Sequence, residues 1–450
     1  MSEGYKSAGV YNLVSFKVSN LVGDGNPVDI STLIHTWEIK ESIRSGAVRG
    51  SAKVYDSTGF LQGFPLRGQE LIEVTYKDFR DVELTEKFVL YSISNAKPFG
   101  ESGDHGIEYT IAFVSVGKYV SDKYEIRRCI AEGTGSSRTY KPVSEQSEIL
   151  FRDYFKENGR GTEKDMYVTP TDGPQKLIIP ALRPEDAMHF LTRKAWSSEM
   201  KSQEYRFFEN REKYYFTCIE DLIAFGQDGQ MPLYFYNTGP VDTSPEAELM
   251  KMQNILAYSF DNYTNSHDAM MNGAYYRQTN ELHLSERTEI VNDYEHLQKY
   301  TDYVYPDASG DTPEVTGDIG FMHTNEFVEN YLNKNYRSYV FRDYPGPDDP
   351  PTARQRPSTY YPDIYNNKGA QTYHYGSTRL NVRIFGNNTI FAGKIINIQL
   401  PIQATENAID NSRSGSYLVE SVTNLFYEQT YWQDLTLIKG GILPFTEIGQ

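Results

Sequence analysis

Phe88-Val-Leu-Tyr-Ser-Ile-Ser-Asn95 and Tyr417-Leu-Val-Glu-Ser-Val-Thr-Asn424 are the two stretches that decide the fold. Each reads as a strand. They also match position by position: Phe88, Leu90 and Ile93 stand where Tyr417, Val419 and Val422 stand, and Ser92 and Asn95 where Ser421 and Asn424 stand. The correspondence continues outward. Ala52-Lys-Val-Tyr-Asp-Ser-Thr-Gly-Phe-Leu61 aligns with Val382-Arg-Ile-Phe-Gly-Asn-Asn-Thr-Ile-Phe391, setting Val54 against Ile384, Tyr55 against Phe385 and Phe60 against Ile390. Ile72, Val74 and Tyr76 correspond to Ile396, Ile398 and Leu400, and Tyr109 to Val114 correspond to Leu435 to Ile438. A strand set repeated in the same order at both ends of a chain predicts two similar small β-barrels. Val54, Tyr55, Phe88, Leu90 and Ile93 are the structural residues expected in the first, and Ile384, Phe385, Tyr417, Val419 and Val422 those expected in the second.

Between the copies the pattern changes. Ser144 to Asn158 reads as a helix. In Lys176 to Trp196 a short apolar strand precedes a second helix, with Pro184 at its first position and Glu185 and Asp186 at its positive end. Tyr205 to Phe208 and Lys213 to Ile219 read as a hairpin turning through Asn210, Arg211 and Glu212. A third helix is expected from Asn325 to Asn335, capped by Thr324. The fold class is therefore mainly β with an α+β insertion. The expected divisions are a first tube-like barrel at 1–125, an α+β unit at 126–245, a β-rich middle region at 246–372 with a proline-rich arm at 344–362, and a second tube-like barrel at 373–450 that can borrow strands from 176–245.

Composition narrows the function. Hydrophobic residues make up 39% of the 450, and no apolar run approaches the ~18 residues of a spanning helix, which excludes a chain that crosses a membrane as a helix. The N-terminus has neither a basic nor an apolar segment of a secretion signal, which predicts folding in a cytoplasm. With 61 acidic against 44 basic residues the net charge is −17, a sign that opposes stable DNA binding and suits a conduit through which DNA slides. The 36 Tyr and 23 Phe point to strands, interfaces or a sugar-binding surface. Cys129 and Cys218 lack metal or redox spacing and read as reduced structural thiols. His35 falls in an apolar phase without a second ligand nearby and reads as a packed histidine.

Three stretches carry a family resemblance: Lys176 to Trp196, the following YRFFENREKYYFTCIEDL, and GSYLVESVTNLFYEQTYWQDLTLIKGGI near the C-terminus. Together with the repeat, they make the chain resemble the baseplate hub protein of contractile-tailed bacteriophages of the T-even type, and the related hub part of type VI secretion spike proteins. The resemblance implies a homotrimer whose six similar barrels form a ring, adapting a sixfold tail tube to a threefold central spike. It implies as partners the tail tube or a tube initiator, the spike, baseplate wedges and the tape measure protein. DNA would only pass through, and the place of action would be the virion tail baseplate, assembled in the host cytoplasm. The chain is expected to end with its second barrel, leaving the spike a separate protein. A hub from a noncontractile tail shares these features.

No metal, cofactor or catalytic site is expected. HExxH, GxSxG, P-loop and EF-hand patterns are absent, and no two histidines stand at i+3 or i+4. GTGSSR at 133–138 lacks the spacing of a phosphate cradle. The competing class is a carbohydrate-binding tail or adhesin protein, which would need aromatics on exposed loops. Trp37 and Trp432 instead fall in strand patterns, and Trp196 is expected in a helix.

Overall fold

The computed structural model describes residues 9–20, 26–64, 66–99, 106–132, 139–157, 161–200, 202–227, 231–236, 250–262, 267, 271–273, 276–283, 288–295, 318–319, 323–324, 337–341, 375, 378–402, 409–410 and 413–439. The loop at 133–138, the expected helix at 325–335 and the proline-rich segment at 344–362 lie outside them; Thr324 belongs to a two-residue strand.

In the first copy, strands β1 (Asn12–Asn20), β2 (Val28–Asp29), β3 (Ile34–Ser42), β4 (Arg49–Asp56), β5 (Glu70–Lys77), β6 (Glu83–Phe99) and β7 (Gly106–Ser115) run in the order β3-β4-β7-β6-β5-β1-β2. Burial alternates along them, as the period of two requires; in β4 Ala52, Val54 and Asp56 are buried while Ser51, Lys53 and Tyr55 are only half-buried. β1 and β3 lie five strand steps apart, which in a flat sheet is about 24 Å. Their side chains nevertheless meet, the rings of Phe16 and Trp37 being 6.4 Å apart. The sheet has curled into a barrel around Phe16, Trp37, Ile39, Val54, Ile72, Val74, Phe88, Leu90, Ile111 and Phe113.

After the first copy come helices α1 (Val116–Ser121), α2 (Val143–Leu150) and α3 (Pro184–Thr192), strands β8 (Met166–Val168), β9 (Tyr205–Glu209) and β10 (Tyr214–Cys218), and helix α4 (Ile219–Gln227). The sheet β8-β10-β9 packs with α2 and α3 around Leu150, Phe155, Leu191, Phe207 and Phe216. Two expectations change here. Lys176 to Leu182 forms only isolated bridges, at Ile178 and Leu182, and not a strand. α3 ends at Thr192, so Trp196 lies beyond the helix.

The second copy comprises β11 (Leu233–Phe235), β12 (Ile255–Asn262), β13 (Thr378–Phe385), β14 (Ile395–Gln399), β15 (Gly415–Tyr427) and β16 (Thr430–Lys439), in the order β12-β13-β16-β15-β14-β11. The bridge between Phe235 and Asn254 brings its first and last strands together. β12 lies within 246–372, the stretch read from sequence as a middle region, yet it completes the second barrel; β11 comes from the α+β stretch. Of the rest of 246–372, strands Tyr276–His283, Thr288–Glu295 and Arg337–Phe341 form a separate sheet.

Strand pairing reproduces the repeat residue for residue. Ala52 pairs with Ile111 as Val382 pairs with Leu435, and Ile72 pairs with Phe88 as Ile396 pairs with Tyr417. Both long strands bulge at the same place, β6 between Leu90 and Ser92 and β15 between Val419 and Ser421. β3 and β12 correspond too, and both bulge in the same first position: Ile34 and Thr36 face Val54 and Lys53, while Ile255 and Ala257 face Ile384 and Arg383; β12 bulges a second time between Phe260 and Asn262.

The two barrels are not independent. β15 pairs antiparallel with β3, from Ser421 opposite Ser42 to Tyr427 opposite Thr36, making one 13-stranded sheet. Phe426 and Tyr431 of the second copy enter the core of the first. Phe426 stacks on Trp37 at 3.7 Å and on Tyr431 at 4.3 Å. Trp37 is 2% exposed. Trp37→Ala is expected to cost about 3–5 kcal/mol, the usual penalty for emptying a large aromatic site. Urea titration followed by circular dichroism checks this; an unchanged midpoint would mean that the stack does not hold the seam.

Candidate functional site

The seam between β3 and β15 places a set of polar side chains in the interior where three parts of the chain meet. Arg211, in the β9–β10 turn of the α+β unit, reaches into it with a side chain only 3% exposed. Its Nη2 donates to Asn424 Oδ1 (3.1 Å) on β15 and its Nη1 to the Asn388 carbonyl (3.2 Å) in the β13–β14 loop. Glu41 of β3 lies 3.6 Å from the guanidinium and accepts the backbone N–H groups of Arg211 (2.9 Å) and Ala392 (3.2 Å). Burial raises the Glu41 carboxyl above its ordinary value, and the Arg211 charge opposes that. Tyr431 and Gln433 of β16 both donate to Asn424 Oδ1, at 2.7 and 2.9 Å. Gly386, whose Cβ would lie 2.0 Å from the Tyr431 ring, lets that ring in.

The network extends to the β5–β6 turn. Asp78 accepts the Asn388 N–H at 3.1 Å, Asn388 donates to the Val82 carbonyl at 2.8 Å, and Arg80 donates to Asn387. A second set of contacts docks the α+β unit on the β3–β4 turn. Glu209 accepts from the Val48 N–H (3.2 Å) and Lys164 (2.9 Å), and Glu185 accepts from the Gly46 N–H (3.0 Å) and pairs with Lys118 (2.6 Å). Burial would raise the Glu185 carboxyl, but His189 and Lys118 outweigh it and hold it at about 2. The bulge residue Glu420, 5% exposed, grips Arg44 of that turn and Arg379 of β13.

Glu220, at the start of α4, is a buried carboxyl of another kind. It accepts from Ser202 and from Tyr375 (3.1 Å), and burial pushes it up to about 7, with Glu204 adding in the same direction. Cys218 is buried and its thiol is likewise pushed up by burial, while Cys129 is half-buried; the structure pairs neither. His35 packs edge-on to Tyr55 and Tyr427. Among the described residues no three His, Cys, Asp or Glu gather as a metal site.

The face of the sheet turned away from the cores carries short polar side chains and compensated charges around the seam. Lys53 and Lys97 pair with Glu108 (3.0 and 3.4 Å), Lys40 with Glu38 (3.0 Å), and Arg383 with Asp434 through two hydrogen bonds of 2.6 and 2.7 Å. Exposed pairs of this kind stabilise by only about 0–1 kcal/mol. What they change is the charge balance, three carboxylates answering four cations on this face.

Of the residues expected from sequence, Val54, Phe88, Leu90, Ile384, Tyr417, Val419 and Val422 are at most 1% exposed in the two cores, and Ile93 packs half-buried against the first. Tyr55 and Phe385 differ. They follow the inward-facing Val54 and Ile384, so the strand period turns them to the opposite face, where they are half-buried. The repeat position Asn95/Asn424 also splits: Asn424 is the acceptor at the heart of the network, while Asn95 is exposed with φ 54°. Sequence reading named Arg211 only as a turn residue and did not single out Glu41. An arginine flanked by Asn and Glu looks like any solvated turn, and Glu41 sits in a strand with Glu38 and Lys40, so neither position signalled burial.

No protein-family model and no curated protein matches the chain. Solved structures do. The 43 kDa tail protein of prophage MuSo2 from Shewanella oneidensis aligns over 95% of this chain and 100% of its own length, with a TM-score of 0.50 and 7% identity. The chain therefore shares the fold of a phage tail protein. A tail protein from Neisseria meningitidis MC58 aligns at a TM-score of 0.47 and 10% identity, over 95% of this chain and 98% of its own. A chain of the Francisella PdpA-VgrG complex aligns at 0.46 and 11%, over 99% of this chain and 55% of its own.

Arg211→Met leaves Glu41 buried without its cation and is expected to destabilise by about 3–5 kcal/mol, while Glu41→Gln/Arg211→Met recovers much of the loss. Denaturation midpoints of the single and double variants measure this; equal midpoints for wild type and Arg211→Met would show the pair to be neutral. Glu220 gives a pH signature. Its carboxyl titrates near 4.3 when unfolded and at about 7 when folded, so its burden on stability is absent below ~4.3 and grows as pH rises to about 7. Glu220→Gln is expected to raise the melting temperature at pH 8 and to leave it unchanged at pH 4.

Proposed function

We propose that this chain is a structural component of a phage-type tail baseplate, a hub that assembles as a homotrimer and joins a sixfold tube to a threefold spike. The observation that carries the reading is the duplication: two barrels of the same strand order, bulged at the same residues, lie side by side in one sheet. A trimer of such chains offers six similar barrels on a threefold body, the geometry a symmetry adaptor needs. The shared fold with a phage tail protein supports it.

The clusters around Arg211 and around Glu185 and Glu209 are bound into the packing between units, so their buried chemistry serves to fix the angle of those units. The partners on this reading are further copies of the chain, a tube protein on one side and a spike on the other, with wedge and tape measure proteins around and within. The site of action is the virion baseplate, reached after assembly in the host cytoplasm. A face on which most cations are paired supports a lumen wall, because a polymer of phosphates sliding past it finds few unmatched cations among the described residues to hold it. The carbohydrate reading is less well supported, since Trp37, in contact with the rings of Tyr11, Phe16, Tyr76 and Phe426, is inside the seam.

Light scattering after size exclusion tests the assembly, with the chain alone and with a candidate spike protein. The expected mass is three times 51.6 kDa in at least one of the two samples. A monomer in both overturns the hub reading.

A further inference from the structure

The seam inside the chain is a template for a contact between chains. β3 of the first barrel pairs with β15 of the second. The counterpart of β3 is β12, offset by 221 residues, and the counterpart of β15 is β6, offset by 329. The same joint can therefore be made once more, between β12 of one copy and β6 of the next.

Both strands present the edge this requires. β6 pairs with β5 from Glu83 to Val89 and no farther; from Ser92 to Pro98 no strand lies on its side away from β7 among the described residues. Ser94, Asn95, Ala96, Lys97 and Pro98 are exposed there, and Tyr91 is 47% exposed. On β12, Ala257, Ser259 and Asp261 are exposed, and among the described residues no strand is paired with them on the side away from β13. Burial differs between the copies as a missing neighbour would make it. Val422 is fully buried where its counterpart Ile93 is half-buried, and Trp37 is fully buried where Tyr258 is half-buried.

We infer that β12 of one chain adds antiparallel to the Ser92–Pro98 edge of β6 in the next, repeating the internal seam, so that three chains close a ring of six barrels. This rests on the trimeric reading above and names the surface by which it closes. Transposing the pairing of Thr423 with Lys40 sets Ser94 opposite Asp261, and transposing that of Leu425 with Glu38 sets Ala96 opposite Ser259. The contact between chains is shorter than the internal seam. β6 bulges again between Ser94 and Lys97, β12 bulges between Phe260 and Asn262, and Pro98 has no N–H to donate. A closed ring also leaves neither edge open to further strands.

Cysteine pairing tests the register, because a disulfide forms only between residues whose Cα atoms lie within about 7 Å. Ser94→Cys/Asp261→Cys and Ala96→Cys/Ser259→Cys, each oxidised in the full-length chain, are expected to give a ladder on denaturing gels run without reductant that ends at three times 51.6 kDa and collapses on reduction. Each single cysteine variant should give none of it. Lys40→Cys/Thr423→Cys, the same pairing within one chain, calibrates the chemistry by closing without a change in mass. If the wild-type particle is a trimer and the calibrating pair closes, but neither cross-chain pair links, the proposed edge is wrong and the hub reading stands. If the wild-type chain is a monomer both alone and with the candidate spike protein, both are wrong.

Discussion

Arg211 is the charge on which the arrangement of the parts depends. A guanidinium taken out of water costs several kcal/mol unless its hydrogen bonds and its charge are matched, and here the matching groups come from separate units. Glu41 belongs to the first barrel, Asn388 and Asn424 to the second, and Arg211 itself to the α+β unit. Moving any one unit leaves a buried polar group unmatched in the other two. Apolar packing at the same place, through Trp37, Phe426 and Tyr431, supplies adhesion but tolerates sliding; the directional network selects one register.

On the proposed reading, the register within one chain also bears on how chains assemble. The angle between neighbouring barrels within a chain must equal the angle between chains if six barrels are to close a ring, and small errors accumulate around it. A seam fixed by a buried network, with bulges at equivalent residues of both copies to set the local twist, is the physical means by which one chain can encode that angle. On the proposed reading the same geometry performs the function, since fitting a threefold body to a sixfold tube requires equivalence of the barrels and no chemistry.

Much of this was legible in the sequence, for a specific reason. Buried barrel strands leave a period of two, and a duplicated barrel leaves it twice in the same order, so the register of β4, β5, β6 and β7 against β13, β14, β15 and β16 could be read from Val54, Ile72 and Phe88 and their counterparts. β12 escaped because the pair it forms with β3 shares little beyond an initial Ile and one aromatic, Trp37 against Tyr258, and because the chain reaches β13 only after a long intervening stretch. The buried junction escaped for a different reason: Glu41 and Arg211 lie 170 residues apart, and nothing in the composition around either distinguishes a buried ion from a solvated one. Pattern reports which face of a strand is inside; it does not report which polar residues a neighbouring unit will cover.

The central claim is that one chain is two copies of a barrel set at the angle of a six-membered ring. End-on class averages of the purified particle by electron cryomicroscopy test it most directly. The account predicts a ring of six barrel-sized lobes around a central opening, alternating in detail so that the true symmetry is threefold. A particle with two lobes, or a ring in which barrels are not equally spaced, would contradict it.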